Sequence, residues 1–186
     1  MPTMLDSPIT TADQLFALDE PGFRHELVRG ELLRMSRPGP WHAVIAANIV
    51  APLRLHIRQH KLGLTMTEAA FRLTRNPDTV RCPDAAFVTT ARAPAPGSTA
   101  PLQGAPEIAV EVVSPSNTFE DLHGKALQWM EHGARLVWVV ESITRTICVY
   151  RADHTMQVLT MADTLVGEDV LPGFSVAVAD VFLELG

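Results

Sequence analysis

The chain has 186 residues, of which 47% are hydrophobic and 19% charged, with a formal net charge of −6. Such a length supplies a core without cross-links, and such a composition is globular rather than disordered, while the net charge argues against a protein coated in basic surface. No apolar run reaches the length of a membrane span, and MPTMLDSPITTADQLF lacks the basic start and apolar block of a secretion signal, which predicts a cytoplasmic chain with no membrane partner.

In chain order, residues 1–22 read as a lead-in holding one short amphipathic piece, TADQLFAL, capped by Thr11; residues 23–186 read as one domain. HELVRGELLRM predicts two short strands turning at Arg29-Gly30. After the break SRPGP, WHAVIAANIVAPLRLHIRQHKLG predicts a helix that is largely buried at its start, kinked at Pro52 and ended by Gly63. TEAAFRL and DAAFVTT are strand candidates on either side of RNPDTVRCP, where NPD marks a turn. ARAPAPGSTAPLQGAP predicts an exposed loop, and EIAVEVV the next strand. SPSNT supplies helix-start chemistry, with Thr118 and Asp121 spaced as a capping box, before the helix FEDLHGKALQWMEHG. RLVWVVE and TICVYRA are strands, and the remainder is a β-rich tail with a short final helix. The fold class is α/β: a mixed sheet core flanked by helices, with an N-terminal hairpin.

Charge is unevenly spread. Between Arg24 and Lys61 seven Arg or Lys face two acids, Glu26 and Glu31, whereas Ala152 to Gly186 holds six acids and no Arg or Lys. This permits a local basic face; taken alone, such arginines more often only solvate a surface. The cysteines Cys82 and Cys148 form no CxxC pair, which fits a reducing compartment.

One residue breaks the apolar strand IAVEVV. Alternation places Ala109, Glu111 and Val113 on one face and Ile108, Val110 and Val112 on the other, so Glu111 shares its face with side chains that cannot neutralise it. A lone buried carboxylate costs several kcal/mol, about 3–5 where a partner has been removed, unless it is paired, protonated or metal-bound. Asp84, in RCPDAAFV, enters the preceding strand 27 positions earlier. If those strands pair, the two carboxylates meet, and hard oxygens of this kind suit Mg²⁺ or Mn²⁺.

The order of PD, a spacer, then ExV before Ser-Pro-Ser resembles the PD-(D/E)XK, or restriction-endonuclease-like, phosphodiesterases. Within them, HELVRGEL, PDAAFV, APEIAVEVVSPSN, GARLVWVVE and LPGFSVAVADVF are similar to the Uma-two family of bacterial endonucleases, from about Phe23 to Phe182. The resemblance implies a Mg²⁺-dependent DNA endonuclease leaving 5′-phosphate and 3′-hydroxyl ends. Asp84 and Glu111 would hold the metal, together with the main-chain carbonyl of Val112. In E-x-K the lysine would stand at 113, where this chain has Val113, and the family places its lysine on the following helix; Lys125 then supplies it. Only one other lysine exists, Lys61. Glu26 resembles the family's upstream acid, able to ligate a second ion or orient a water.

Each residue also has a plainer reading. Asp84 is then a turn residue, Glu111 an acid paired with arginine, Lys125 a surface partner of Asp121, and Glu26 an exposed hairpin residue. His42 contacts phosphate, acts as a proton relay or is structural, with the structural role favoured; Cys82 reads as a small core residue, Trp129 and Trp138 as core, and Gln128 as a candidate for the site wall. The functional rivals are a non-catalytic nucleic-acid- or protein-binding domain of the same fold, and a nuclease acting on RNA or on single-stranded or branched DNA. A homodimer would suit an enzyme that cuts two strands.

Overall fold

The computed structural model describes residues 8–113 and 119–183. A short helix α1 (Ala12–Ala17), capped by Thr11 in a full capping box with Gln14, leads into the hairpin β1 (Phe23–Val28) and β2 (Glu31–Ser36). Helix α2 (Pro40–His60) follows, then β3 (Gly63–Met66), β4 (Phe71–Thr74), β5 (Thr79–Arg81) and β6 (Ala85–Thr89). The Pro/Ala-rich stretch is loop apart from one 3₁₀ turn, Thr90–Arg92, and the two-residue strand β7 (Leu102–Gln103). Strand β8 (Ile108–Val112), helix α3 (Phe119–Glu131), β9 (Leu136–Glu141) and β10 (Thr146–Arg151) come next. The chain closes with β11 (Met156–Leu159), β12 (Thr164–Val166), β13 (Ser175–Ala177) and α4 (Val178–Val181).

Two sheets carry the architecture. The larger runs β11-β10-β9-β8-β6-β3, parallel only between β8 and β9; the other runs β2-β1-β5-β4-β7, parallel only between β4 and β7. Strand β8 is central and buried along its whole length, because its two faces feed two separate cores. Ile108, Val110 and Val112 pack with Ile45, Ile49, Leu53 and Ile57 of α2, while Ala109 and Val113 pack with Ala126 and Trp129 of α3 and with Phe71. The predicted alternation is therefore the observed one, and the fold is a mixed α/β one with helices covering the central sheet.

Several expectations need correction. Helix α2 is not largely buried at its start: Trp41 is 57% exposed, and burial follows the i, i+4 line Ile45, Ile49, Leu53, Ile57. An apolar composition there reflects alanines on the outer face, not an enclosed helix. The helix has Pro52 within it and closes not at Gly63 but at Lys61, whose left-handed backbone returns its N–H to the carbonyls of Ile57 and Arg58. Gly63 instead opens β3, where a Cβ would collide with the Val88 carbonyl oxygen of the neighbouring strand. Strands β3 and β5 carry no pattern that predicts them; both are short, and tertiary pairing makes them strands. The NPD turn lies where expected, between β4 and β5, but β4 starts only at Phe71. The predicted capping box at Thr118 and the Ser-Pro-Ser turn lie outside the described residues.

Candidate active site

Register brings the acids together. Strands β6 and β8 pair antiparallel with Ala85 opposite Val110, so one step further Asp84 comes abreast of Glu111 on the same face. The Asp84 carboxylate accepts the Val112 N–H at 2.7 Å and lies 3.1 Å from His42 Nε2, both through Oδ2; Arg24 reaches Oδ1 at 3.3 Å. In the second sheet Leu27 pairs with Val80, which sets Glu26 of β1 opposite Arg81 of β5. Arg81 donates to Glu26 Oε2 at 2.7 Å, and the Cys82 N–H donates to Oε1 at 2.9 Å.

Helix α3 completes the cluster from its buried face. Residues three and four apart on a helix share a side, so Lys125, Gln128 and Trp129 point together. Lys125 Nζ donates to Glu111 Oε2 at 2.9 Å and to Glu26 Oε1 at 3.3 Å. Trp129 Nε1 donates to Glu111 Oε1 at 2.8 Å, and Gln128 Oε1 accepts from Arg81 Nε at 2.7 Å.

Two carboxylates, Glu111 and Glu26, thus meet on one ammonium, with Asp84 beside Glu111. Burial pushes the Glu111 carboxyl up to about 7; Lys125 opposes this, and the nearby Asp84 and Glu26 charges reinforce it. Burial acts to raise Glu26 and Asp84 too, yet both stay below the usual carboxylate range. For Glu26 the Lys125 and Arg81 charges outweigh burial; for Asp84 the His42 contact, the Val112 N–H and Arg24 do so. Burial would lower Lys125, but the Glu111 and Glu26 charges overcome it and hold the ammonium above its ordinary value. The proton therefore resides on Lys125, and Glu111 is the least comfortable anion of the group. Cys82 is pushed up to about 12, chiefly by burial and then by Glu26, which fits a small core residue and not a thiolate nucleophile.

Asp84, Glu111, Val112, Lys125 and His42 all border one cavity of about 500 Å³, also lined by residues 34–39, from the end of β2 up to the start of α2. Glu26 is off that wall: at 1% exposure it is no exposed hairpin residue, and both of its oxygens are taken up behind Lys125. Glu111 is paired with lysine and indole rather than with arginine, and Lys125 with Glu111 and Glu26. Gln128 holds Arg81 instead of lining the cavity. Reasoning from sequence missed Arg24, Arg81 and the polar role of Trp129. The last had a readable signal, since Trp129 follows Lys125 by four residues on the same helical face.

Among the described residues no three His, Cys, Asp or Glu side chains gather into a metal-binding group. The donors on the wall are two carboxylates, 5% exposed each, whose oxygens can accept further partners beyond those they have. Two carboxylates with the remaining positions left to water and substrate is a donor set that suits Mg²⁺, and a cation would relieve the crowding that raises Glu111.

A mixed α/β core with a buried acid pair and a helix-borne lysine defines the class of protein in hand. The chain belongs to the Uma2 family, described as "Putative restriction endonuclease", whose profile matches residues 12–179. Among solved structures it is similar to one from Anabaena variabilis ATCC 29413, described as "a putative nuclease belonging to DUF820". The TM-score is 0.80 at 19% sequence identity, covering 94% of this chain and 98% of that one, which establishes a shared fold. No curated protein matches the sequence. No helix among the described residues is long and apolar enough to cross a membrane.

Proposed function

We propose that the chain is a divalent-metal-dependent endonuclease of the PD-(D/E)XK type that hydrolyses DNA phosphodiester bonds. The observation that carries this reading is Lys125: the cation absent at Val113 is supplied from α3 and sits 2.9 Å from the strand carboxylate of Glu111. A structural ion pair needs no second acid on the same cavity wall, whereas phosphoryl transfer needs anionic ligands and a fixed cation side by side.

Asp84 and Glu111 would hold Mg²⁺ or Mn²⁺, with the Val112 carbonyl as a third oxygen. When bound, the ion supplies Lewis-acid polarisation of the phosphate and a water more acidic than bulk. The chain's own residues do the rest. Lys125, kept as an ammonium, donates hydrogen bonds that position the attacking water and offset charge building on the phosphate. Glu26 keeps Nζ in place from behind, and Arg81 ties Glu26 to Gln128 on the same helix. Arg24 and His42 fix the orientation of Asp84.

The test is incubation of the purified protein with plasmid, linear duplex, single-stranded DNA and RNA, in Mg²⁺, Mn²⁺ or EDTA, beside Asp84→Ala, Glu111→Ala and Lys125→Ala. Duplex cleavage should stop in EDTA and fall by about 10²–10³-fold or more in each variant. Cleavage that survives chelation, or all three substitutions, would overturn the assignment; preference for RNA would move the substrate class and leave the site.

A further inference from the structure

Four Arg or Lys side chains border the cavity: Arg24, Arg34, Arg37 and Lys125. Three are neutralised by carboxylates, Arg24 by Glu68 and Asp84, Arg34 by Glu20, and Lys125 by Glu111 and Glu26. Arg37 is different: it is exposed and makes no ion pair or hydrogen bond among the described residues. An unpaired arginine on open surface means little, but this one stands at the mouth of the cavity that holds the acid–lysine cluster, in a chain of net charge −6.

Its backbone setting favours anion capture. Arg37 lies in the short connection from β2 to α2, followed by Pro38 and Pro40, whose rings fix φ and leave the connection few conformations. Helix α2 begins there with no capping side chain and no acid in its first turn, so its free N–H groups and dipole leave the same wall positive. A guanidinium matches two phosphate oxygens at once, which a solvated ammonium does not. We propose that Arg37 grips the nucleic-acid phosphate next to the one being cleaved, clamping the backbone at the cavity mouth. This rests on the nuclease reading above, but it concerns binding and not hydrolysis.

The two separate by measuring them independently. Affinity for a fluorescent duplex oligonucleotide is read by anisotropy with Ca²⁺ in place of Mg²⁺, over a series of salt concentrations, for wild type, R37A, R37E and R58E. Arg58 is exposed on the same helix, about 27 Å from its start at 1.5 Å per residue, and reports what the same charge change does far from the cavity. R37E should weaken binding roughly tenfold or more, and R37A should lower the slope of log Kd against log salt by about one. R58E should change affinity no more than about twofold. Unfolding midpoints of the Arg37 variants should match wild type, since the side chain is bonded to nothing among the described residues. Equal losses in R37E and R58E, unchanged affinity in R37E, or no duplex binding by wild type would overturn the proposal. Arg37-dependent binding without hydrolysis would leave the phosphate grip at the cavity mouth standing while removing the nuclease reading, and hydrolysis with affinity indifferent to Arg37 would do the reverse.

Discussion

At Trp129 one side chain serves packing and polarity together. Its ring is fully buried beside Phe71, edge to face at 5.9 Å between centroids, while its N–H meets Glu111. Trp129→Phe keeps most of the packing and withdraws the donor from a buried carboxylate, so unfolding free energy should drop by about 1.5–3 kcal/mol. Divalent-ion affinity should fall as Glu111 loses its orientation. Denaturant titration and calorimetry read the two effects, and a stability loss with unchanged ion affinity would make the indole a packing residue alone. Glu111 itself was legible in the sequence, because a single acid in a two-faced apolar strand calls for a partner. Glu26 was half legible: its burial follows from β1 pairing with β5, and β5 is three residues long with no pattern of its own. Arg81 could not be read at all, since its partners lie 55 and 47 positions away.

At the level of elements, two glycines differ in kind. Gly63→Ala would drive a Cβ into the Val88 carbonyl and separate β3 from the sheet edge, with a loss of at least about 1–3 kcal/mol. Gly124 lies in the second turn of α3, and a Cβ there would meet nothing within 4 Å, so Gly124→Ala should stabilise the helix by about 0.5–1 kcal/mol. Thermal or chemical unfolding of both variants checks the signs, and a stabilising Gly63→Ala would show that β3 can move away from β6 at no cost. Helices α2 and α3 and strands β8 and β9 were readable because each repeats its period over several turns or residues. The short strands were not, since backbone pairing with a distant partner decides them.

Across the molecule, the carboxylate cluster sets opposing pH trends in the absence of metal. Glu111 rises from 4.5 to about 7 on folding, so its contribution is fully present below its ordinary value and is lost as pH rises through about 7. Glu26 and Asp84 sit below 4.5 and 3.8; their contribution is present above those values and is lost as pH falls through the lowered ones. In EDTA, resistance to denaturant should therefore decline between about pH 5.5 and about pH 8, and Glu111→Gln should flatten that decline. A midpoint that climbs over this interval would show that Glu111 is not the strained anion of the site.

Val113 has a consequence for where an ammonium can stand. It is packed into the same core cluster as Ala109, Ala126 and Trp129, beneath the helix that carries Lys125. A lysine placed at that strand position would push its stem into space the helix now fills, and a second ammonium would crowd the first. With Val113 packed there, the ammonium that meets Glu111 comes from α3.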